Sequence, residues 1–111
     1  MGSYVLVKLT DDNFMREVIE SDVPVLVQFS AETCVPCRVQ EPAIRRLATD
    51  FQGRLKVGSL DVDGNPQTTE SFRVRGVPHI AVLQAGEVVL ELVGGYSLEQ
   101  LRDRLRGALA L

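Results

Sequence analysis

An α/β layer fold is predicted by three observations. Short apolar runs rich in β-branched residues alternate with amphipathic stretches, one run is apolar almost throughout, and the last two runs are too close together for a crossover. The chain's 111 residues suit a single compact domain over 1–111 with a real core, and no linker, repeat or low-complexity segment divides it.

Residues 4–9, Tyr-Val-Leu-Val-Lys-Leu, read as the first strand. Residues 11–21 read as a helix, with Asp11 or Asp12 as its cap and Phe14, Val18 and Ile19 on one broad face. Residues 23–30, Val-Pro-Val-Leu-Val-Gln-Phe-Ser, have the pattern of a central strand covered on both faces, with Gln28 as the main polar interruption. Ile44, Leu47, Ala48 and Phe51 recur at helical spacing and predict a helix over 34–50, which Pro42, lacking an N–H, should kink.

Residues 55–63 give a third strand, and Asn65-Pro66 is a cap and first-turn signal for a short helix through Phe72. Residues 79–94 hold two strands joined at Ala85-Gly86, hence an antiparallel hairpin. The last helix starts at Ser97, which with Gln100 forms a capping box, and it sets Leu98, Leu101, Leu105 and Leu109 on one face. The expected architecture is a mixed five-stranded sheet with about four helices covering both faces.

Both cysteines of the chain lie in Thr33-Cys34-Val35-Pro36-Cys37, after the apolar strand and at the start of a helix. A buried cysteine often serves as a small hydrophobe, but two of them flanking Val-Pro at this place make chance packing a poor account. Zinc normally takes four ligands, and the chain offers two cysteines and one histidine. A single-chain zinc site is therefore disfavoured, although a dimer sharing two pairs could form one.

The redox reading has a direct physical basis. A thiol at a helix N-terminus meets unpaired N–H groups and the positive end of the dipole, both of which favour thiolate. Cys34 is then the nucleophile, and Cys37, one turn further in, can reach the same sulfur and resolve a mixed disulfide. Pro36 fits the first turn, where a missing N–H costs little.

With these residues in place, the chain resembles the thioredoxin family from Val5 to Leu109. The resemblance rests on an ordered set: Val-Leu-Val-Gln-Phe-Ser-Ala-Glu-Thr-Cys-Val-Pro-Cys-Arg, Pro42, Leu-Asp-Val-Asp-Gly-Asn-Pro, Gly76-Val77-Pro78 before a strand, and Val-Gly-Gly-Tyr-Ser. It implies a thioredoxin fold and a Cys34/Cys37 dithiol-disulfide couple. It also implies a cis bond before Pro78, with that loop against the cysteines and the Val77 backbone pairing with an extended substrate segment. Thr33, Val35, Pro36 and Gly94 are carried over as the other substrate-facing residues.

The departures are informative. Thr33 and Val35 stand where the family usually has Trp and Gly, which removes a rigid aromatic contact and stiffens the loop. Gln28, six residues before Cys34, matches a buried Asp that can exchange protons with the resolving thiol, and Ser59 matches the lysine near that Asp. Losing both charges together predicts a neutral site with proton transfer to Cys37 slower or routed through water. His79 is the only histidine and is read as a hydrogen-bonded structural residue, the alternative being a thiolate-stabilising one. Arg38, after Cys37, adds positive potential.

The resulting expectation is a thiol-disulfide oxidoreductase acting on disulfide-containing proteins, with an external donor such as a thioredoxin reductase and with no metal or bound organic cofactor. Two other classes stay open: an oxidase or isomerase in an oxidising compartment, and a thioredoxin-fold binding or chaperone module with weak redox activity. Composition narrows the setting. The net charge is -3 and scattered, which gives no nucleic-acid footprint; no apolar run reaches membrane-span length, and the opening Met-Gly-Ser-Tyr lacks a secretory signal. A cytoplasmic monomer is expected.

Overall fold

A computed structural model describes residues 6–111. Five strands form one mixed sheet: β1 (Val7–Leu9), β2 (Val25–Ser30), β3 (Lys56–Asp61), β4 (His79–Gln84) and β5 (Glu87–Val93), in the spatial order β1-β3-β2-β4-β5. β3 runs parallel to both β1 and β2, while β4 pairs antiparallel with β2 and β5. The α-helices are α1 (Val35–Asp50), α2 (Pro66–Ser71) and α3 (Leu98–Ala108). This is the expected α/β architecture; residues 4 and 5 of the expected first strand lie outside the described residues.

β2 occupies the middle because both of its faces are apolar, and Val25 through Phe29 are all buried. Alternation sends Leu26 toward the layer of α1 and α3, where it packs with Ile44, Leu47, Leu101 and Leu105. Val25, Val27 and Phe29 go the other way, toward Phe14, Val18 and Phe72. Gln28 shares the Leu26 face, which puts it behind α1. The hairpin turns on Ala85 and Gly86, both at positive φ (53° and 81°), the two-residue turn whose twist matches the strands. Ser97 and Gln100 make the reciprocal capping box of α3, and α1 continues through Pro42 to Asp50.

Two expectations are corrected. The helix expected over 11–21 is one turn of π-helix, Met15–Ile19, and neither Asp11 nor Asp12 caps it. Phe14 and Val18 are nonetheless buried, as the expected apolar face requires, on a helical segment shorter than expected. Asp11 caps α2 instead: its carboxylate accepts from the N–H of Thr68 (2.8 Å), the Thr68 hydroxyl (2.6 Å) and the N–H of Gln67 (3.1 Å). Asn65 does sit at the N-cap position but makes no side-chain cap bond. Its amide donates to the Asp61 carbonyl and accepts from the Asp11 N–H, so it holds the capping aspartate in place. The carboxylate wins because it offers more acceptor sites than an amide oxygen and carries charge to the positive end of the helix.

Two further carboxylates, Glu17 and Asp50, make ion pairs that tie elements together. Lys56 donates to the carbonyl and carboxylate of Glu17, and Asp50 at the end of α1 accepts from Arg46 and from Arg102 of α3. The Thr68 hydroxyl holds the Asp11 carboxyl below its ordinary value, the Lys56 hydrogen bond does the same to Glu17, and Arg102 followed by Arg46 does so to Asp50.

All three folded-state values are depressed, so between the folded and the ordinary value the unfolded chain binds more protons. Their contribution to stability is complete above the ordinary values of 3.8 for aspartate and 4.5 for glutamate, and is lost as the pH falls through the folded ones. Thermal unfolding followed by circular dichroism from neutral pH downward should show the midpoint dropping across that acid window. At neutral pH, Asp11→Ala should lower the midpoint by several degrees while Asp12→Ala leaves it unchanged.

Candidate active site

The chain leaves β2 at Ser30, turns through residues 31–33 and enters α1 at Cys34, which has extended backbone (φ -84°, ψ 105°) and is the helix cap. A cap residue ordinarily offers a side-chain oxygen to the first turn. In this chain the acceptor is sulfur: the Cys37 N–H donates to Cys34 Sγ at 3.1 Å. Pro36, in the first turn, has no N–H to leave unpaired. Arg38 donates through its guanidinium to the Glu32 carbonyl at 2.6 Å and braces the loop that precedes the cap. Cys34 and Cys37 are joined as a disulfide with Cα atoms 5.3 Å apart. Both are buried (8% and 3% exposed), and the residues around them, Thr33, Val35 and Pro36, are exposed.

The second part of the site is the loop before β4. The Val77-Pro78 bond is cis, and the Pro78 carbonyl accepts from the Gly94 N–H at 2.9 Å. Gly94 has φ +95°, a conformation that side-chain-bearing residues rarely adopt. Among the described residues, neither the N–H nor the carbonyl of Val77 has a hydrogen-bond partner, because the pairing of β4 with β2 starts at His79. Thr33 and Val77 line one cleft of about 290 Å³. Thr33, Val77 and, through Pro78, Gly94 are therefore neighbours around the cysteines' end of the molecule.

Behind Cys37, a cavity of about 430 Å³ is lined by Cys37, Gln28, Lys8, Arg38, Glu41 and Asp61, among others. Gln28 is buried, and its side-chain oxygen accepts from Gln40 Nε2 at 2.8 Å. Gln40 Oε1 in turn accepts from the Tyr96 backbone N–H at 2.6 Å. Ser59 is the register partner of Gln28 in β3, yet its hydroxyl lies 3.3 Å from that of Ser30. His79 is on the opposite face of the sheet from Gln28. There it meets the Glu91 carboxylate at 3.1 Å and stands edge-on to Phe29.

The expectation of a neutral site needs revision. Positions 28 and 59 carry no charge, but Lys8 of β1, next to Ser59 in register, and Glu41 of α1 line this cavity and its neighbour of about 500 Å³.

Gln40, Lys8 and Glu41 were not singled out from the sequence. A signal for Gln40 was there: the buried register of Ile44, Leu47 and Ala48, continued back one turn and then two, lands on Gln40 and Cys37, and a polar side chain on that face must find partners. Lys8 and Glu41 gave none, because their approach depends on how β1 and α1 flank β3 and β2. Among the described residues no group of three or more His, Cys, Asp or Glu side chains gathers as a metal site.

Comparison with known proteins agrees with this geometry. The family model described as Thioredoxin matches residues 5–107. The chain is 38% identical to the thioredoxin of Buchnera aphidicola over 100 residues, covering 90% of this chain and 93% of that protein. It is 40% identical to the thioredoxin of Pseudomonas aeruginosa over 96 residues, covering 86% and 89%. It is 38% identical to thioredoxin 1 of a Nostoc strain over 98 residues, covering 88% and 92%.

The unequal settings of the two sulfurs predict unequal reactivity. After reduction, a limiting amount of iodoacetamide at neutral pH should modify Cys34 well before Cys37, as read by peptide mass spectrometry. Cys34 accepts the helix N–H and is the more exposed of the two (8% against 3%).

Proposed function

We propose a division of labour between the two cysteines of this chain, which belongs to the thioredoxin family and is a thiol-disulfide oxidoreductase that reduces protein disulfides. The Cys34 thiolate attacks one sulfur of a substrate disulfide. The substrate's S–S bond breaks, its other sulfur leaves as a thiolate that takes a proton from solvent, and Cys34 is left in a mixed disulfide. Cys37, as thiolate, then attacks Cys34 Sγ, the mixed disulfide breaks, and the second substrate sulfur is released. The protein ends as the Cys34-Cys37 disulfide, two electrons poorer, and an external dithiol restores it.

The observation that carries this reading is the hydrogen bond from the Cys37 N–H to Cys34 Sγ, which favours a thiolate at that sulfur and not at its neighbour. The open backbone of Val77 supports a role in holding an extended substrate segment as an added strand, with Thr33, Val35, Pro36 and Gly94 around it. Pro78 supports that wall through its bond to Gly94. His79 and Ser59 serve the scaffold: the one is engaged by Glu91, the other by Ser30.

The electron donor we propose is a thioredoxin reductase drawing on NADPH, and the setting is the cytoplasm, where the chain works as a monomeric single domain. Among the described residues no helix is long and apolar enough to cross a membrane. Thr33 and Val35 set the quality of docking, since a threonine offers less rigid apolar area than an aromatic residue.

The test is insulin disulfide reduction with dithiothreitol. Wild type should accelerate the reaction and Cys34→Ser should return it to the uncatalysed rate; equal rates would favour a binding module. With a purified thioredoxin reductase, NADPH consumption should depend on the chain and rise for Thr33→Trp. No consumption with either form would mean a different donor.

A further inference from the structure

We propose that Gln40 is a positioning residue that locks the Gln28 amide with its NH2 group serving the cavity of Cys37, so that a neutral donor stabilises the resolving thiolate. The proposal rests on the reading that Cys37 resolves the mixed disulfide.

The polarity of the chain of bonds follows from its far end. A backbone N–H can only donate, so the Gln40 atom 2.6 Å from Tyr96 N is the oxygen. The other polar atom of Gln40 is then its nitrogen, which can only donate, so the Gln28 atom 2.8 Å away is again an oxygen. What remains of Gln28 is Nε2, with two N–H bonds. Both amides are almost fully buried (2% and 4% exposed), so neither can reverse without leaving a polar group unpaired inside the protein. Gln28 and Cys37 line the same cavity, which is large enough for water, and in this proposal the amide acts on Cys37 through water held there.

A hydrogen bond to the charged form of a group favours that form. In the resolving step the Cys37 proton leaves to water in the cavity and the sulfur keeps the electron pair. The pair then forms the bond to Cys34 Sγ, and the pair of the broken bond departs on the substrate sulfur, which is protonated by solvent. An amide donor holds the negative sulfur without ever accepting the proton. The charged groups facing the same cavity are Lys8 from β1, Asp61 from β3, Glu32 from the loop before α1, and Arg38 and Glu41 from α1 itself.

The experiment uses the full chain with Cys34→Ser, so that Cys37 is the only thiol. Its thiolate fraction is followed by ultraviolet absorbance and by iodoacetamide rate across pH. Gln40→Met and Gln28→Met should each lower the thiolate fraction near neutral pH by roughly tenfold, the effect of losing one hydrogen bond to the charged form. The double variant should lose no more than either single one, because the residues act in series. An unchanged titration in Gln40→Met, or additive losses, would overturn the proposal.

A measurement that needs no change at either glutamine guards against misfolding. In Cys34→Ser alone, the side-chain NH2 resonances of Gln28 should shift in step with the Cys37 titration; resonances that stay still would also overturn it. This protein cannot turn over, so a negative result leaves disulfide reduction standing. Failure of wild type to reduce insulin would instead sink the earlier reading.

Discussion

The bond from the Cys37 N–H to Cys34 Sγ exists only because β2 stops at Ser30 and α1 starts five residues later, at Val35. Moving that junction by one residue would turn the sulfur off the helix axis, and the first turn would lose its acceptor. The apolar run of β2 buries itself on both faces and fixes where the strand ends. The Arg38 brace to Glu32 sets the path of the loop. Reactivity in this protein is thus a property of a strand end and a helix start, and the rest of the sheet holds those two in register.

Much of this was readable in the sequence because the signals were local. Val-Pro-Val-Leu-Val-Gln-Phe-Ser announces a strand covered twice, Ser97 and Gln100 announce a cap, and Ala85-Gly86 announces a turn; each needs only a few neighbouring residues. Cys34 and Cys37 belong to the same class, since position at a helix start is a local property. The failures were non-local. Asp11 stood before an amphipathic stretch and was read as its cap, while its carboxylate serves Gln67 and Thr68 across the gap between β1 and α2. Gln40 meets Gln28, and Lys8 and Glu41 join the lining of the cavity beside Cys37, only once α1 and β1 are laid against the sheet.

Gln28 shows how a buried polar position without charge is kept satisfied. Gln40 supplies a donor, the peptide of Tyr96 supplies the next, and no buried side-chain polar atom among the described residues is left without a partner. Such a chain has a direction, set by the one group in it that cannot reverse. It also joins the Gly94–Tyr96 segment to the strand behind Cys37.

The cap from Asp11 carries a consequence for local opening. A helix of six residues cannot hold itself in water, so α2 persists only while β1 is paired with β3 and presents Asp11 to it. β1 is three residues long and pairs only with β3, at one edge of the sheet. The segment from Val74 to Val77, one wall of the cleft beside Thr33, follows closely on the end of α2. Fraying at that edge is therefore transmitted to the loop beside Thr33, and the two should exchange amide hydrogens as one cooperative unit.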